Sequence, residues 1–269
     1  MTLALTVFQG RVGDHNDRGF GGAAALGDEW AHRLNLPPTV VGTPEPPLST
    51  DWRVELDAAV PTLEAMSQRY EDVYAAGRTP VTALTRCAVA LATLPVVARH
   101  HPGALVVWFD AHADINTPAS SATGYLGGLA LSGPMGWWDS GLGSGVTPAN
   151  VVLGGARDLD PFERRLIDDG VVRHVPVGPG LLDDLDAAVG DRPVYFHLDC
   201  DVLDPGLVPT DYRVRNGLSF DELRGVANRL ADNTIVGVEV AEFEGAWAET
   251  GEPGDPRSLL DALSPLVVG

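Results

Sequence analysis

Three apolar, β-branched segments of the chain each run into acidic residues. The segments are residues 105–109, 194–198 and 235–240, and the acids after them begin with Asp110, Asp199 and Glu242. Continuous apolar runs of this length are typical of strands that are buried on both faces of a parallel sheet. The carboxyl ends of parallel strands lie at one edge of the sheet, where binding sites form. The pattern therefore predicts a parallel sheet with an acidic site along one edge.

Two further apolar segments, residues 3–8 and 151–153, also have the composition of strands. Helical periodicity occurs between the strands, over residues 60–76, 82–99, 221–230 and 258–266. This alternation predicts an α/β fold, with three α/β/α layers around a central, mostly parallel sheet. The hydrophobic share of 45% is enough to form the core of a single domain over residues 1–269.

The charge of the chain restricts its partners. The formal net charge is −19, which disfavours binding to nucleic acid and to anionic membrane surfaces and favours a small cationic molecule. The sequence contains no lysine, which excludes Schiff-base chemistry and the lysine of phosphate-binding loops. No signal-peptide pattern and no run of about 18 apolar residues is present, so we expect a soluble, cytoplasmic protein.

The acids after the first two segments follow a period of two. Asp110, His112 and Asp114 alternate with small residues, as do Asp199 and Asp201. Carboxylates a few ångströms apart raise one another's pKa values, so a cluster of this kind needs a cation. Oxygen ligands with a histidine favour Mn²⁺ or a similar hard ion, and a pair of metals can activate a shared water. The alternative is that these acids are solvated loop residues or helix caps.

Three motifs, FDAHADINTP, HLDCDVLDP and VEVAEFEG, resemble the ureohydrolase motifs of arginases and agmatinases, in the same order and with similar separations. The resemblance extends from about Thr79 to Gly245. It implies two divalent metal ions, with Mn²⁺ expected, that are bridged by carboxylates and a hydroxide. It also implies that this hydroxide attacks the guanidinium carbon of a small cationic guanidino substrate and releases a urea.

The resemblance assigns a role to each acidic ligand. It implies that Asp110 and Asp199 bridge the two metals and that His112 and Asp201 complete one of the ions. It implies that Asp114 binds the other ion and also deprotonates the bridging water, as a catalytic residue.

The resemblance also implies a set of substrate contacts. Glu242 matches the catalytic glutamate that grips the guanidinium, a charge-assisted contact. Asn116 and Thr123 match positions that bind an α-carboxylate, and Asp160 and Glu163 match positions that bind an α-amino group. These matches favour an amino-acid substrate over agmatine. The alternative for Asp160 and Glu163 is that they only cap the helix that begins near Pro161.

The chain departs from the family pattern at several positions. Cys87 falls where the family has its first metal-ligating histidine, and a softer thiolate weakens the preference for Mn²⁺ relative to Zn²⁺, Co²⁺ or Fe²⁺. The alternative is a buried core thiol. Gly127 replaces a proton-shuttling histidine, and the segment TDYRVRNG places Tyr212, Arg213 and Arg215 near the pocket. In this replacement of histidine by cysteine, the chain resembles a branch of arginase-like enzymes in antibiotic biosynthesis. Enzymes of that branch convert Nω-hydroxy-L-arginine to hydroxyurea and ornithine.

Several functions remain open at this point. The leading one is an amidinohydrolase acting on Nω-hydroxy-L-arginine, or on L-arginine to give urea and ornithine. The second is an arginase-like metal-binding protein that has lost catalysis, because the ligand histidine and the shuttle are both missing. A deacetylase-like amidohydrolase is disfavoured because no pair of histidines is visible. His197 is interpreted as a buried orienting group, and the resemblance allows a homo-oligomer.

Overall fold

The computed structural model describes residues 2–267, and within them eight strands form one sheet. The strands are β1 (Leu3–Phe8), β2 (Thr39–Val41), β3 (Thr79–Ala83), β4 (Leu105–Phe109), β5 (Val151–Gly154), β6 (Arg173–Val175), β7 (Val194–Asp199) and β8 (Ile235–Ala241). Their order in the sheet is β2-β1-β3-β8-β7-β4-β5-β6, and every neighbouring pair is parallel. The predicted α/β fold is confirmed, and the sheet is entirely parallel over this part of the chain.

Helices cover both faces of the sheet. They are α1 (Arg18–Leu34), α2 (Trp52–Ala75), α3 (Ala90–His100), α4 (Pro161–Asp168), α5 (Leu181–Val189), α6 (Phe220–Leu230) and α7 (Arg257–Val267). One hydrophobic core joins α1, α5, α6 and α7 to one face of the sheet, and a second core joins α2 and α3 to the other face. This is the three-layer arrangement that the sequence predicts. No helix within residues 2–267 is both long and apolar enough to cross a membrane.

The prediction of a helix over residues 82–99 is wrong in its first part. Thr82 lies in β3, where it is paired with Thr6 of β1 and with Glu239 of β8. A 3-10 turn, Cys87–Val89, follows the strand, and α3 begins only at Ala90. Strands buried on both faces are apolar throughout, so their sequence does not separate them from the start of a buried helix.

Helix α1 was not predicted, because four glycines, which weaken helices in isolation, interrupt it. The structure shows what Gly22 permits. A Cβ atom added to Gly22 would lie only 1.6 Å from the backbone oxygen of Phe243. Helix α1 therefore packs directly against the segment that follows β8, and this close contact supports the position of Glu242 beside it.

The order of the central strands determines where a site forms. β3, β8, β7 and β4 are consecutive neighbours, and their carboxyl ends lie side by side. Cys87, Glu242 and Asp110 follow the ends of β3, β8 and β4, and Asp199 is the last residue of β7. Residues far apart in the sequence are thus brought to one edge of the sheet, as the strand-end acids predict.

Candidate metal centre

The segment after β4 leaves the sheet as an irregular loop that is held by its own acids. The Asp110 carboxylate accepts a hydrogen bond from the backbone N–H of His112 at 2.6 Å and another from the indole N–H of Trp108 at 3.0 Å. Asp114 has a φ of 54°, a left-handed conformation that is uncommon outside glycine. Backbone strain of this kind is concentrated at functional sites, where the surrounding structure maintains it.

The segment after β7 is tied to the segment after β4. The Asp199 carboxylate accepts from the backbone N–H of Asp201 at 2.7 Å, and the Asp201 carboxylate accepts from the backbone N–H of Ala111 at 3.0 Å. A backbone N–H of the segment after β4 therefore holds an acid of the segment after β7 in place. All four carboxylates are buried, namely those of Asp110, Asp114, Asp199 and Asp201.

His112 defines a first group of possible metal ligands. Its Nδ1 atom lies 3.0 Å from Oδ2 of Asp201 and 3.3 Å from Oδ1 of Asp110. Burial alone would lower the pKa of His112, yet its contacts with these two carboxylates raise it above its ordinary value. One ligand atom from each of the three residues lies within 4.8 Å of the others, which suits a single ion.

Cys87 takes part in two further groups, one with Asp110 and Asp114 and one with Asp199 and Glu242, and in each the ligand atoms lie within 4.8 Å of one another. Asp110 is common to the His112 group and to the Asp114 group. Burial and the charge of Asp110 raise the pKa of Asp114, and burial and Asp201 raise that of Asp199. Buried carboxylates that repel one another in this way are stabilised by cations. The donor set therefore suits divalent cations, and Asp110 belongs to more than one of the possible ligand groups.

A buried network lies behind the Cys87 thiol. Its Sγ atom is 3.1 Å from Nε2 of His197 and 3.1 Å from Oδ2 of Asp199. Nδ1 of His197 lies 2.7 Å from Oε1 of Glu239, and the imidazole stacks on Trp108 with 3.5 Å between ring centroids. Burial and the Asp199 charge raise the pKa of the Cys87 thiol, so a nearby cation is needed to stabilise its thiolate. His197 therefore has contacts that suit an orienting group.

The acids open into a cavity of about 200 Å³. It is also lined by the five side chains that the resemblance assigns to substrate, namely Asn116, Thr123, Asp160, Glu163 and Glu242. The site thus combines a buried acidic floor with a polar wall, in a space suited to a small molecule.

The sequence leaves two roles open for Asp160 and Glu163, namely capping of α4 and contact with the substrate. The Glu163 carboxylate accepts from the backbone N–H of Asp160 at 3.1 Å, which caps α4, and from that of Ile115 at 3.2 Å. Nδ2 of Asn116 donates to Asp160 at 2.8 Å. Capping and pocket lining therefore occur together. Burial raises the pKa of Glu163 to about 7.

The sequence analysis missed Arg86, which is buried at the back of the pocket. Its guanidinium lies 2.8 Å from Oε2 of Glu242 and 2.9 Å from Oδ1 of Asp14. Burial raises the pKa of Glu242 to about 7, although Arg86 beside it acts in the opposite direction. The only sequence signal for Arg86 is its position next to Cys87.

Tyr125, also missed, explains the glycine at position 127. A Cβ atom added to Gly127 would lie 2.4 Å from Cε1 of Tyr125 and 3.0 Å from its hydroxyl oxygen. The Tyr125 ring thus fills the space that a side chain at position 127 would need. Both Tyr125 and Tyr212 line the cavity, with 6.1 Å between their ring centroids.

Comparisons with known proteins agree with this geometry. Residues 44–252 match the model of the arginase family. The chain is 42% identical over 264 residues to the N(omega)-hydroxy-L-arginine amidinohydrolase of Streptomyces lavendulae, covering 98% of this chain and 96% of that protein. It is 33% identical over 197 residues to an arginase of Brevibacillus brevis, covering 67% and 66%. Its fold is similar to the crystal structure of Bacillus cereus arginase, with a TM-score of 0.85 at 22% identity over 100% of this chain and 99% of that one. The chain therefore belongs to the arginase family.

Proposed function

We propose that this protein hydrolyses Nω-hydroxy-L-arginine to hydroxyurea and L-ornithine. The observation that carries the proposal is the cluster at four adjacent strand ends, in which Cys87 joins the acids at the floor of a polar cavity. The relative from Streptomyces lavendulae, which bears the name of this activity, supports the choice of substrate because the similarity extends over 98% of the chain.

Two Mn²⁺ ions would be held by Cys87, Asp110, His112, Asp114, Asp199 and Asp201. When bound, they would supply Lewis-acid activation of water and stabilise negative charge that develops on the substrate. Asp110 and Asp199 would be shared between the ions. Asp114 would accept the proton of the attacking water, because it lies in the ligand cluster and lines the cavity, and burial together with the Asp110 charge raises its pKa.

The rest of the cavity would orient the substrate. Glu242 would hold the guanidino group by hydrogen bonds, Asn116 and Thr123 would contact the α-carboxylate, and Asp160 and Glu163 would contact the α-amino group. In the reaction, the water oxygen bonds to the guanidino carbon and the bond from that carbon to the side-chain nitrogen breaks. The electron pair stays on this nitrogen, which takes up a proton and leaves as the amine of ornithine.

The competing proposal, a metal-binding protein without catalysis, was motivated by the missing ligand histidine and shuttle. The structure weakens that motive, because a thiol stands in the ligand cluster and Tyr125 fills the space beside Gly127. An assay of purified protein with Mn²⁺ separates the two proposals. Hydroxyurea and ornithine should form from Nω-hydroxy-L-arginine, with less product from L-arginine, agmatine or guanidinobutyrate. Asp114→Asn, which keeps the size of the side chain, is the matched inactive control.

The metal, the assembly and the location are part of the same proposal. The carboxylate-rich donor set supports Mn²⁺, while the thiol makes Zn²⁺, Co²⁺ and Fe²⁺ the relevant competitors. Metal analysis together with reconstitution by each ion tests this choice. We also propose that the whole chain forms one domain, that the protein is cytoplasmic and that it forms a homo-oligomer. Light scattering on the purified protein tests the oligomeric state.

A further inference from the structure

A protein guanidinium already occupies the carboxylate that should bind the substrate guanidino group. Arg86 is only 1% exposed, and its guanidinium lies 2.8 Å from Oε2 of Glu242. The other oxygen, Oε1, accepts a hydrogen bond from the backbone N–H of Cys87 at 2.9 Å. Both oxygens of Glu242 therefore already accept hydrogen bonds from the protein, and Arg86 is not among the residues that line the cavity.

Arg86 is fixed in this position from behind. Its Nε atom donates to Asp14 at 2.9 Å, and Asp14 also accepts from the backbone N–H of Val12 at 2.7 Å. Glu244 lies 3.9 Å from the Arg86 guanidinium, but its carboxylate is 2.7 Å from Arg18. An arginine remains charged at any working pH. Arg86 thus places a permanent positive charge directly behind the Glu242 carboxylate.

This charge affects any cation that binds to Glu242 from the cavity. Two guanidinium groups that share one carboxylate lie within a few ångströms of each other and repel, and a partly buried site screens the repulsion poorly. A neutral head group of the same shape can accept or donate the same hydrogen bonds without that cost. The pair therefore weakens binding of a cationic group relative to a neutral one.

We propose that Arg86 is a specificity-determining residue that disfavours a fully cationic guanidinium and favours a head group that can bind in its neutral form. This inference rests on the proposed function and deepens it. The N-hydroxy group withdraws electrons, so an N-hydroxyguanidine gives up its proton far more readily than the guanidinium of arginine. The Arg86–Glu242 pair is thereby matched to the hydroxylated substrate.

Binding of L-arginine and L-citrulline to the Mn²⁺-loaded protein tests the inference without catalysis. The two amino acids have nearly the same size, but citrulline carries a neutral urea in place of the guanidinium. The double variant Arg86→Met with Asp14→Asn removes the charges of Arg86 and of Asp14 together. Removal of Arg86 alone would leave the Asp14 carboxylate buried without its ion-pair partner. Calorimetry then gives the ratio of the dissociation constants, citrulline over arginine, for each protein.

The double variant should raise this ratio at least tenfold in favour of arginine relative to the parent protein. Asp14→Asn alone is the matched control and should not move the ratio towards arginine, because Arg86 still faces Glu242. If Arg86→Met perturbs folding, a second double variant, Arg86→Gln with Asp14→Asn, replaces it. The glutamine keeps a hydrogen-bond donor near Glu242 but carries no charge, so the same shift in the ratio is expected. A ratio within twofold of the parent in a variant with a normal melting curve would overturn the inference.

The same variants separate this inference from the proposed function. If the parent protein turns over Nω-hydroxy-L-arginine, the ratio of kcat/KM for hydroxyarginine over arginine should fall at least tenfold in the double variant, chiefly through a lower KM for arginine. If the parent protein turns over neither substrate, the proposed function fails, and the ratio of dissociation constants alone decides the role of Arg86.

Discussion

Replacement of Cys87 by histidine, the residue that the family pattern has at this position, should fail to produce an ordinary arginase site. The Cys87 side chain is 1% exposed, and its sulfur is 3.1 Å from both His197 Nε2 and Asp199 Oδ2. An imidazole is much larger than a thiol and would overlap the His197 ring. Overpacking of this kind in a filled core costs about 1–3 kcal/mol.

When metal is removed by a chelator, the free energy of unfolding of the Cys87→His protein should be about 1–3 kcal/mol lower than that of the parent protein. A second substitution, His197→Ser, removes the opposing ring and should recover most of that loss. His197→Ser alone is the matched control, because it breaks the contact with Glu239 in either background. Urea unfolding of the four proteins in the presence of a chelator gives a double-mutant cycle, which isolates the pairwise coupling between positions 87 and 197.

The coupling energy between positions 87 and 197 should be at least about 1 kcal/mol. A histidine at one of these positions should be tolerated only when the residue at the other position is small. Metal analysis of the same four proteins should find Cys87→His deficient in bound metal and the double variant restored. A Cys87→His protein as stable as the parent, with two metals bound and no coupling to position 197, would refute this account of the packing.

Three further predictions follow from the site. Asp114→Asn should lower kcat at least about 10²-fold, and metal analysis of the variant should separate loss of the proton acceptor from loss of a bound metal, because Asp114 is also a proposed ligand. Gly127→His should lower stability because its Cβ would overlap the Tyr125 ring, and Tyr125→Ala in the same chain should relieve the loss, as thermal melting would show. The pKa of Glu163 is raised to about 7 in the folded protein, so the folded state holds its proton more tightly than the unfolded state. Stability of the metal-free protein should therefore fall as pH rises from about 4.5 to about 7, by no more than about 3 kcal/mol from this group. Glu163→Gln should reduce that slope in urea titrations, while Glu242, whose pKa is also raised to about 7, still contributes to it. A steep slope that Glu163→Gln leaves unchanged would contradict the assignment.

The acidic part of the candidate site could be predicted from sequence because its information is local. Asp110, His112 and Asp114 follow one strand at alternate positions, and parallel strands place such segments at one edge. Comparison with the family motifs could add Cys87 by counting along the chain. These residues occupy one cluster in the structure, while their roles as metal ligands stay predictions.

Arg86 could not be predicted in the same way. Its ion-pair partners are Asp14, which is 72 positions away, and Glu242, which is 156 positions away. No local period links three residues from the segments after β1, β3 and β8, which meet only when the sheet is assembled. Tyr125 was missed for a related reason, because its role depends on the absence of a side chain at Gly127.

The errors in secondary structure have a similar origin. The segment around Thr82 is apolar and β-branched because it is buried between β1 and β8, but the sequence does not reveal that both of its neighbours are strands. The edge strands β2 and β6 are only three residues long, too short to show a period. Sequence patterns therefore identified β1, β4, β5, β7 and β8, but they missed the interior strand β3 and both edge strands.

Isotope labelling tests the central claim most directly. Mn²⁺-loaded protein is incubated with Nω-hydroxy-L-arginine in H₂¹⁸O, and the products are analysed by mass spectrometry. Attack of water on the guanidino carbon with loss of the ornithine nitrogen predicts one ¹⁸O atom in the carbonyl group of hydroxyurea and none in ornithine. Unlabelled products, labelled citrulline with free hydroxylamine, or an unchanged substrate would contradict the account.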